Sequence, residues 1–205
     1  MYSSSDLLHV ILKMLSKYDS EYLHSETSAV IDLWNEIPEH LNLGHVLIPK
    51  YEKELSNHIA RYLKLAAPEF AIDREVLVTP RPYKYSDQDS GYVDLKIQSQ
   101  DLSRHIQPGV VHIEVKCNWN REVATNLKTQ LYQKYVQQTP NSCGIFLCGC
   151  FASPRWFEKD YRYKQIVKGY KTVDETKASL KEQLLRLPQS DACKIAVVAI
   201  DCSIG

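Results

Sequence analysis

Two stretches decide how this chain folds: Gly91-Tyr92-Val93-Asp94-Leu95-Lys96-Ile97-Gln98 and Val110-Val111-His112-Ile113-Glu114-Val115-Lys116-Cys117. Both alternate with the two-residue period of a strand that is buried on one face. In the first, Val93, Leu95 and Ile97 share a face, and Tyr92, Asp94 and Lys96 share the other. In the second, Val111, Ile113 and Val115 oppose His112, Glu114 and Lys116. The segment between them carries Pro108-Gly109 and is short enough for a hairpin, so neighbouring strands would bring Asp94, Glu114 and Lys116 together on one face.

The acid-x-Lys triplet by itself says little. With 25 acidic and 25 basic residues the chain forms it three times, at Asp94-Leu95-Lys96, Glu114-Val115-Lys116 and Glu175-Thr176-Lys177. The context of the first two carries the signal. Two carboxylates held close on a sheet repel, and burial makes them costly unless a cation lies between them. Carboxylate oxygens with a backbone carbonyl, here that of Val115, suit Mg²⁺ or Mn²⁺ rather than zinc. A neighbouring lysine orients or deprotonates a water and offsets charge building on a phosphate.

Around this pair the pattern alternates between helix and strand. Tyr51, Leu55, Ile59, Tyr62 and Ala66 recur at helical spacing, which predicts a helix over 49–67 begun by Pro49 and ended by Pro68. On the helical wheel the centre of that stripe lies about 60° from Glu52 and about 100° from Glu54, so Glu52 is the better placed of the two to look toward the sheet. Residues 74–79 read as a strand and 80–90 as a turn-rich loop. Val123, Leu127, Leu131 and Tyr135 predict a helix over 121–136, with Gln130 on its margin and Asn126 further out. A strand follows over 144–151. A helix over 174–187 and a strand over 194–202, apolar enough to be central, extend the C-terminal side. The first 48 residues read as a helical appendage, with Asp6 capping a helix that carries Leu7, Leu8, Ile11, Leu12 and Leu15 and a second helix over 25–34. The expected division is therefore 1–48 and 49–205.

The remaining features set limits. No apolar run approaches the roughly 20 residues that span a bilayer, and residues 1–6 lack the basic start of a signal peptide; a cytoplasmic protein with no membrane partner is expected. Cys117, Cys143, Cys148, Cys150, Cys193 and Cys202 contain no CxxC pair, so they read as buried small hydrophobes rather than a zinc site. The formal net charge of +0 excludes a protein that coats nucleic acid by charge alone. The segment 155–171 is nonetheless locally basic and aromatic: Arg155, Lys159, Arg162, Lys164, Lys168 and Lys171 interleave with Trp156, Phe157, Tyr161, Tyr163 and Tyr170. Cations of this kind neutralise phosphates and rings of this kind stack on bases.

From Pro49 to Phe151 the chain resembles the PD-(D/E)xK nuclease superfamily, the restriction-endonuclease-like fold. That family has a core of helix, three strands, helix and strand. It carries an acidic residue on the first helix, an Asp on the second strand, a (D/E)xK triplet on the third, and often a Gln or Lys on the following helix. Glu52 (or Glu54), Asp94, Glu114, Lys116 and Gln130 occupy those places in that order. Val93 stands where the motif's name has proline. The RecB-like subgroup has Gln and Tyr four residues apart, whereas Gln130 is followed four residues later by Lys134, with Tyr135 one place beyond. The resemblance implies an α/β protein acting as an Mg²⁺- or Mn²⁺-dependent nuclease on nucleic acid, DNA first. Asp94, Glu114, Val115 and Glu52 would then hold the metal, Lys116 would assist the water and Gln130 would hold the substrate backbone or the water. The alternative is a non-catalytic nucleic-acid-binding or assembly module that keeps the fold. DNA versus RNA, endo versus exo action, and a homodimer or larger assembly stay open in the sequence.

Overall fold

The computed structural model of the chain describes residues 2–26, 28–37, 46–79, 91–99 and 108–205. The architecture is α/β, built on a mixed five-stranded sheet with helices on both faces. Its strands are β3 (Phe70–Thr79), β4 (Gly91–Ser99), β5 (Val110–Cys117), β6 (Ser142–Cys150) and β7 (Ile195–Asp201), ordered β3-β4-β5-β6-β7. β3, β4 and β5 pair antiparallel, whereas β5–β6 and β6–β7 pair parallel. The loops expected at 80–90 and at 100–107 lie outside the described residues. A second, two-stranded sheet pairs β1 (Trp34–Ile37) with β2 (Val46–Pro49).

The alternation read in the sequence sorts the side chains. Leu95, Ile97, Val111, Ile113, Val115, Ile145 and Leu147 form one buried cluster with α1 (Ser4–Lys17) and α2 (Glu52–Ala66). On the opposite face Phe146 and Cys148 pack with a π-helix (Leu127–Val136) and with α4 (Val173–Leu185), which follows the short helix α3 (Tyr161–Lys168). Val93 departs from the expected face: it belongs to this second cluster, because β4 turns away from its neighbour beyond Leu95.

The first 48 residues differ from expectation in form. Ser3, not Asp6, is the N-cap of α1, and Asp6 completes a capping box with it. In place of a second helix over 25–34 there is a short 3-10 turn (Ala29–Leu33) that begins after Ser28 at φ 46° and runs straight into β1. The left-handed Ser28 breaks a helical path that the apolar spacing alone did not forbid. Leu7, Ile11 and Leu15 sit in the same cluster as the sheet residues, and the Trp34 indole N–H donates to the Cys202 carbonyl at 2.9 Å. The segment packs as a layer of the sheet.

β7 is an edge strand rather than a central one. Its apolar run reflects cover from α4, and its last N–H, that of Asp201, donates to Asp19 Oδ1 at 2.9 Å. The central position falls to β5, and both β5 and β6 are buried along their whole length. Among the described residues no helix is long and apolar enough to cross a membrane.

If α1 is a layer of the core, Ile11→Ala will cost about 2–5 kcal/mol, as a buried aliphatic truncation does, and will match Ile113→Ala in urea denaturation. An independent appendage would shift the global midpoint hardly at all.

Candidate active site

The site forms where β4 and β5 part. Their ladder runs from Gln98–Val110 to Leu95–Ile113 and stops there, although β5 continues to Cys117 against β6. Beyond Ile113 the N–H groups of Val115 and Cys117 point to an edge with no strand beside it. Side chains take the strand's place. Asp94 Oδ2 accepts from Val115 N at 2.8 Å, and Glu52 Oε1 accepts from Cys117 N at 2.8 Å and from the Asn120 amide at 2.9 Å. In strand geometry a residue's N–H and C=O face the same edge, so the Val115 carbonyl also looks toward this gap.

Glu114 and Lys116 project from β5 on the face opposite Val115, and Asp94 is near enough for its charge to act on both. Glu114 is 1% exposed and Lys116 is 9% exposed. Lys116 Nζ lies 2.8 Å from Glu114 Oε1, and Glu114 Oε2 is buried without a hydrogen-bond partner among the described residues. Glu52 reaches the same place from the first turn of α2. Glu54 points away and accepts from Asn57 at 3.3 Å on the exposed side, which resolves the choice that the helical wheel left between them.

The electrostatics follow from three carboxylates beside one ammonium. Burial raises the Glu52 and Asp94 carboxyls above the ordinary range, in spite of the N–H bonds and the lysine that oppose it. Burial, then the charge of Asp94, pushes Glu114 up to about 8. Burial works against the Lys116 ammonium, but Glu114, Glu52 and Asp94 outweigh it and hold the proton more firmly than usual. The cluster is short of positive charge. Among the described residues no three His, Cys, Asp or Glu side chains are drawn close enough to form a ready-made metal cage. Asp94 and Glu52 are instead turned onto backbone N–H donors.

Gln130 is not among these groups. It accepts from Asn126 at 2.8 Å and donates to the Tyr135 hydroxyl at 2.9 Å. Asn126, expected on the outside, is buried between Glu122 and Gln130. Tyr135 in turn donates to the Tyr92 carbonyl, and the Glu114 and Asp94 charges help burial to raise its hydroxyl pKa. Gln130 therefore touches the site only through Tyr135. Their five-residue separation is that of a π-helix, whose bonds run i to i+5; Gln137 and Tyr132 make the same pairing at 2.8 Å. The apolar stripe at 123, 127, 131 and 135 looked like an ordinary helix, and the extra residue per turn was not visible in it.

Sequence reasoning passed over three further groups. Asn118 joins the ends of β5 and β6, donating to the Phe151 carbonyl at 3.2 Å and accepting from Phe151 N at 3.1 Å. Asn120 orients Glu52 and caps the 3-10 turn Arg121–Ala124. The available signal was Asn118-Trp119-Asn120 directly after a strand, a place where Asn side chains fix turns. His112 is fully buried beside the Tyr135 ring with both nitrogens unpartnered among the described residues, and burial lowers its pKa to about 4.

The basic aromatic segment needs the largest correction. Arg162 is buried, clamped to Asp160 at 2.7 Å and to the Pro49 carbonyl at 2.6 Å, and its guanidinium lies over the Tyr51, Trp119 and Tyr161 rings. Trp156 is a core residue. Arg155, Lys159, Lys164 and Lys171 are exposed, as a solvated edge would be. No family model, curated protein or solved structure matches the chain.

Two outcomes follow. Arg162→Met will leave Asp160 as an unpaired buried charge and cost about 3–5 kcal/mol in a denaturation series. The second concerns pH. Folded Glu114 holds its proton up to about 8, against 4.5 for the free side chain, so the folded state binds more protons than the unfolded one and stability falls as pH rises. His112 opposes this only below its ordinary 6.5. Urea midpoints will therefore drop between pH 6.5 and 8, and Glu114→Gln will flatten that drop.

Proposed function

We propose that this protein is a divalent-metal-dependent nuclease that hydrolyses phosphodiester bonds in DNA. On this reading α2, β3, β4, β5, the π-helix and β6 form a restriction-endonuclease-like core, working in the cytoplasm. The observation that carries the proposal is that Asp94 and Glu52 lie along the open N–H edge of β5 beside the buried Glu114–Lys116 pair. Burial raises all three carboxyls, and a bound cation would favour their charged form.

The donor set fits a hard ion. Asp94, Glu114, the Val115 carbonyl and Glu52 offer only oxygen, which suits Mg²⁺ or Mn²⁺. The unpartnered Glu114 Oε2 is the buried atom that such an ion would satisfy. When bound, the ion would polarise the phosphate and supply a water of lowered pKa. Lys116 keeps its proton, so it orients that water and offsets phosphate charge instead of acting as a base. Asn120 and the Cys117 N–H keep Glu52 turned toward the gap. Gln130 holds Tyr135 rather than substrate.

A plasmid and oligonucleotide cleavage assay with Mg²⁺, Mn²⁺ and EDTA tests the proposal. Cleavage is expected with either metal and none with EDTA. Lys116→Ala, Glu114→Gln and Asp94→Asn are each expected to lose roughly 100-fold or more. Asp94→Asn retains a side-chain oxygen for Val115 N and so separates chemistry from folding. Mn²⁺ at about 100 times its Kd should stabilise the wild type by ~2.7 kcal/mol, and Asp94→Asn should lose that gain. A wild type that neither cleaves nor responds to metal would be the non-catalytic module instead.

A further inference from the structure

Glu52 has a second neighbourhood. Outward from the carboxylates it forms part of the wall of an open cleft of about 520 Å³, lined also by Tyr51, Trp119, Asn120, Arg121 and Tyr161. A smaller hollow of about 350 Å³ shares Trp119, Asn120 and Arg121 with it and continues the path toward Tyr170. The volume is that of a ligand site. Its character is aromatic. Tyr51 and Tyr161 are 66% and 60% exposed, among the most exposed large side chains described.

These rings are held in place. Arg162 lies 5.1 Å from the Tyr51 centroid, 5.5 Å from Trp119 and 5.8 Å from Tyr161. The guanidinium is itself locked by Asp160 and the Pro49 carbonyl, so the aromatic walls stand organised before any ligand arrives. The polar groups between them are amides with fixed partners: Asn120 donates to Glu52, and Gln165 accepts from Arg121 Nε at 2.8 Å. The cleft therefore offers ring faces and amide edges beside the carboxylates; Lys53 and Arg121 also line it, with Lys53 paired to Glu75 at 2.9 Å and Arg121 bonded to Gln165.

We propose that this cleft receives an unpaired nucleobase next to the bond that is cut. The substrate would then be single-stranded nucleic acid, or a duplex carrying a flap or single-stranded end. This rests on the nuclease reading of Glu52 and its neighbours. A paired base inside a duplex has both faces covered by its neighbours, and only an unpaired one can give a face to Tyr51 or Tyr161. The two cations in the lining are engaged by Glu75 and Gln165, so the rings are the free faces that the cleft offers.

The test measures binding in EDTA, where no cleavage occurs, by fluorescence polarisation of a labelled single strand, a flapped duplex and a blunt duplex. The wild type is expected to bind the first two at least tenfold more tightly than the third. Tyr51→Ala and Tyr161→Ala should each weaken single-strand binding by roughly 5- to 140-fold, the span to which ~1–3 kcal/mol of base stacking converts. Tyr51→Phe and Tyr161→Phe should retain it, because stacking needs the ring and not the hydroxyl. Where an alanine variant loses its fold by circular dichroism, quenching of a 2-aminopurine placed in the flap of the wild-type complex decides instead. Equal affinity for blunt duplex and single strand, alanine variants that keep the preference, or an unquenched probe would overturn the proposal. Cleavage in Mg²⁺ without strand preference would remove this inference and leave the nuclease. Strand preference without cleavage in Mg²⁺ or Mn²⁺ would leave the cleft and remove the nuclease.

Discussion

The bond from Val115 N to Asp94 Oδ2 is the constraint on which the rest of the site depends. Had β4 stayed paired with β5 for one more residue, Asp94 would face Glu114 across the ladder, with Cβ atoms about 4.5–5.5 Å apart. Two carboxylates at that separation, on a face this buried, repel strongly. The strands part instead, and the parting would strand the N–H groups of Val115 and Cys117. A buried donor without a partner costs about 1–3 kcal/mol. Asp94 and Glu52 remove that cost by serving as acceptors, one from the neighbouring strand and one from the first turn of α2. The bonds that finish the strand are the bonds that fix the carboxylates, so the fold and the proposed chemistry share the same atoms.

Lys116 shows how the charges divide. Its ammonium pairs with Glu114 alone at close range, yet Glu52 and Asp94 also add to the field that keeps it protonated. One lysine cannot neutralise three carboxylates, and burial prevents water from doing so. Burial is the first cause of the raised pKa of all three acids, and for Glu114 the charge of Asp94 adds to it. A structural ion pair would be balanced. This arrangement is unbalanced, and on the proposed reading the imbalance is what a hard cation would relieve.

What the sequence made legible was whatever followed a simple period. The alternation of β5 put Glu114 and Lys116 on one face with His112, and the wheel of α2 preferred Glu52 to Glu54. Both hold in the structure. Period alone could not reveal a π-helix, since apolar residues every fourth position suit either geometry over three turns. Gln130 was therefore assigned to substrate or water, when the extra residue per turn aims it at Tyr135. Composition likewise could not separate a buried arginine from an exposed one. Arg162 follows its own N-cap, Asp160, and the pairing of those two turns a phosphate-binding expectation into a clamp. The apolar β7 misled because an edge strand covered by a helix reads like a central one.

The fate of Arg162 changes how the protein must hold a polyanion. With a formal net charge of +0 and this cation consumed internally, the segment 155–171 has one cation fewer for affinity by counterion release. Of the exposed lysines, Lys159 stands beside Glu158, and such solvated charges add little beyond steering. On the proposed reading, affinity draws on two short-range sources, an ion held against phosphate by Asp94, Glu114 and Glu52, and ring faces at Tyr51 and Tyr161. Both act at single-nucleotide range, and neither rewards a long regular duplex. Arg162 serves the second source from behind, setting three rings at fixed spacing while remaining out of reach of the ligand itself.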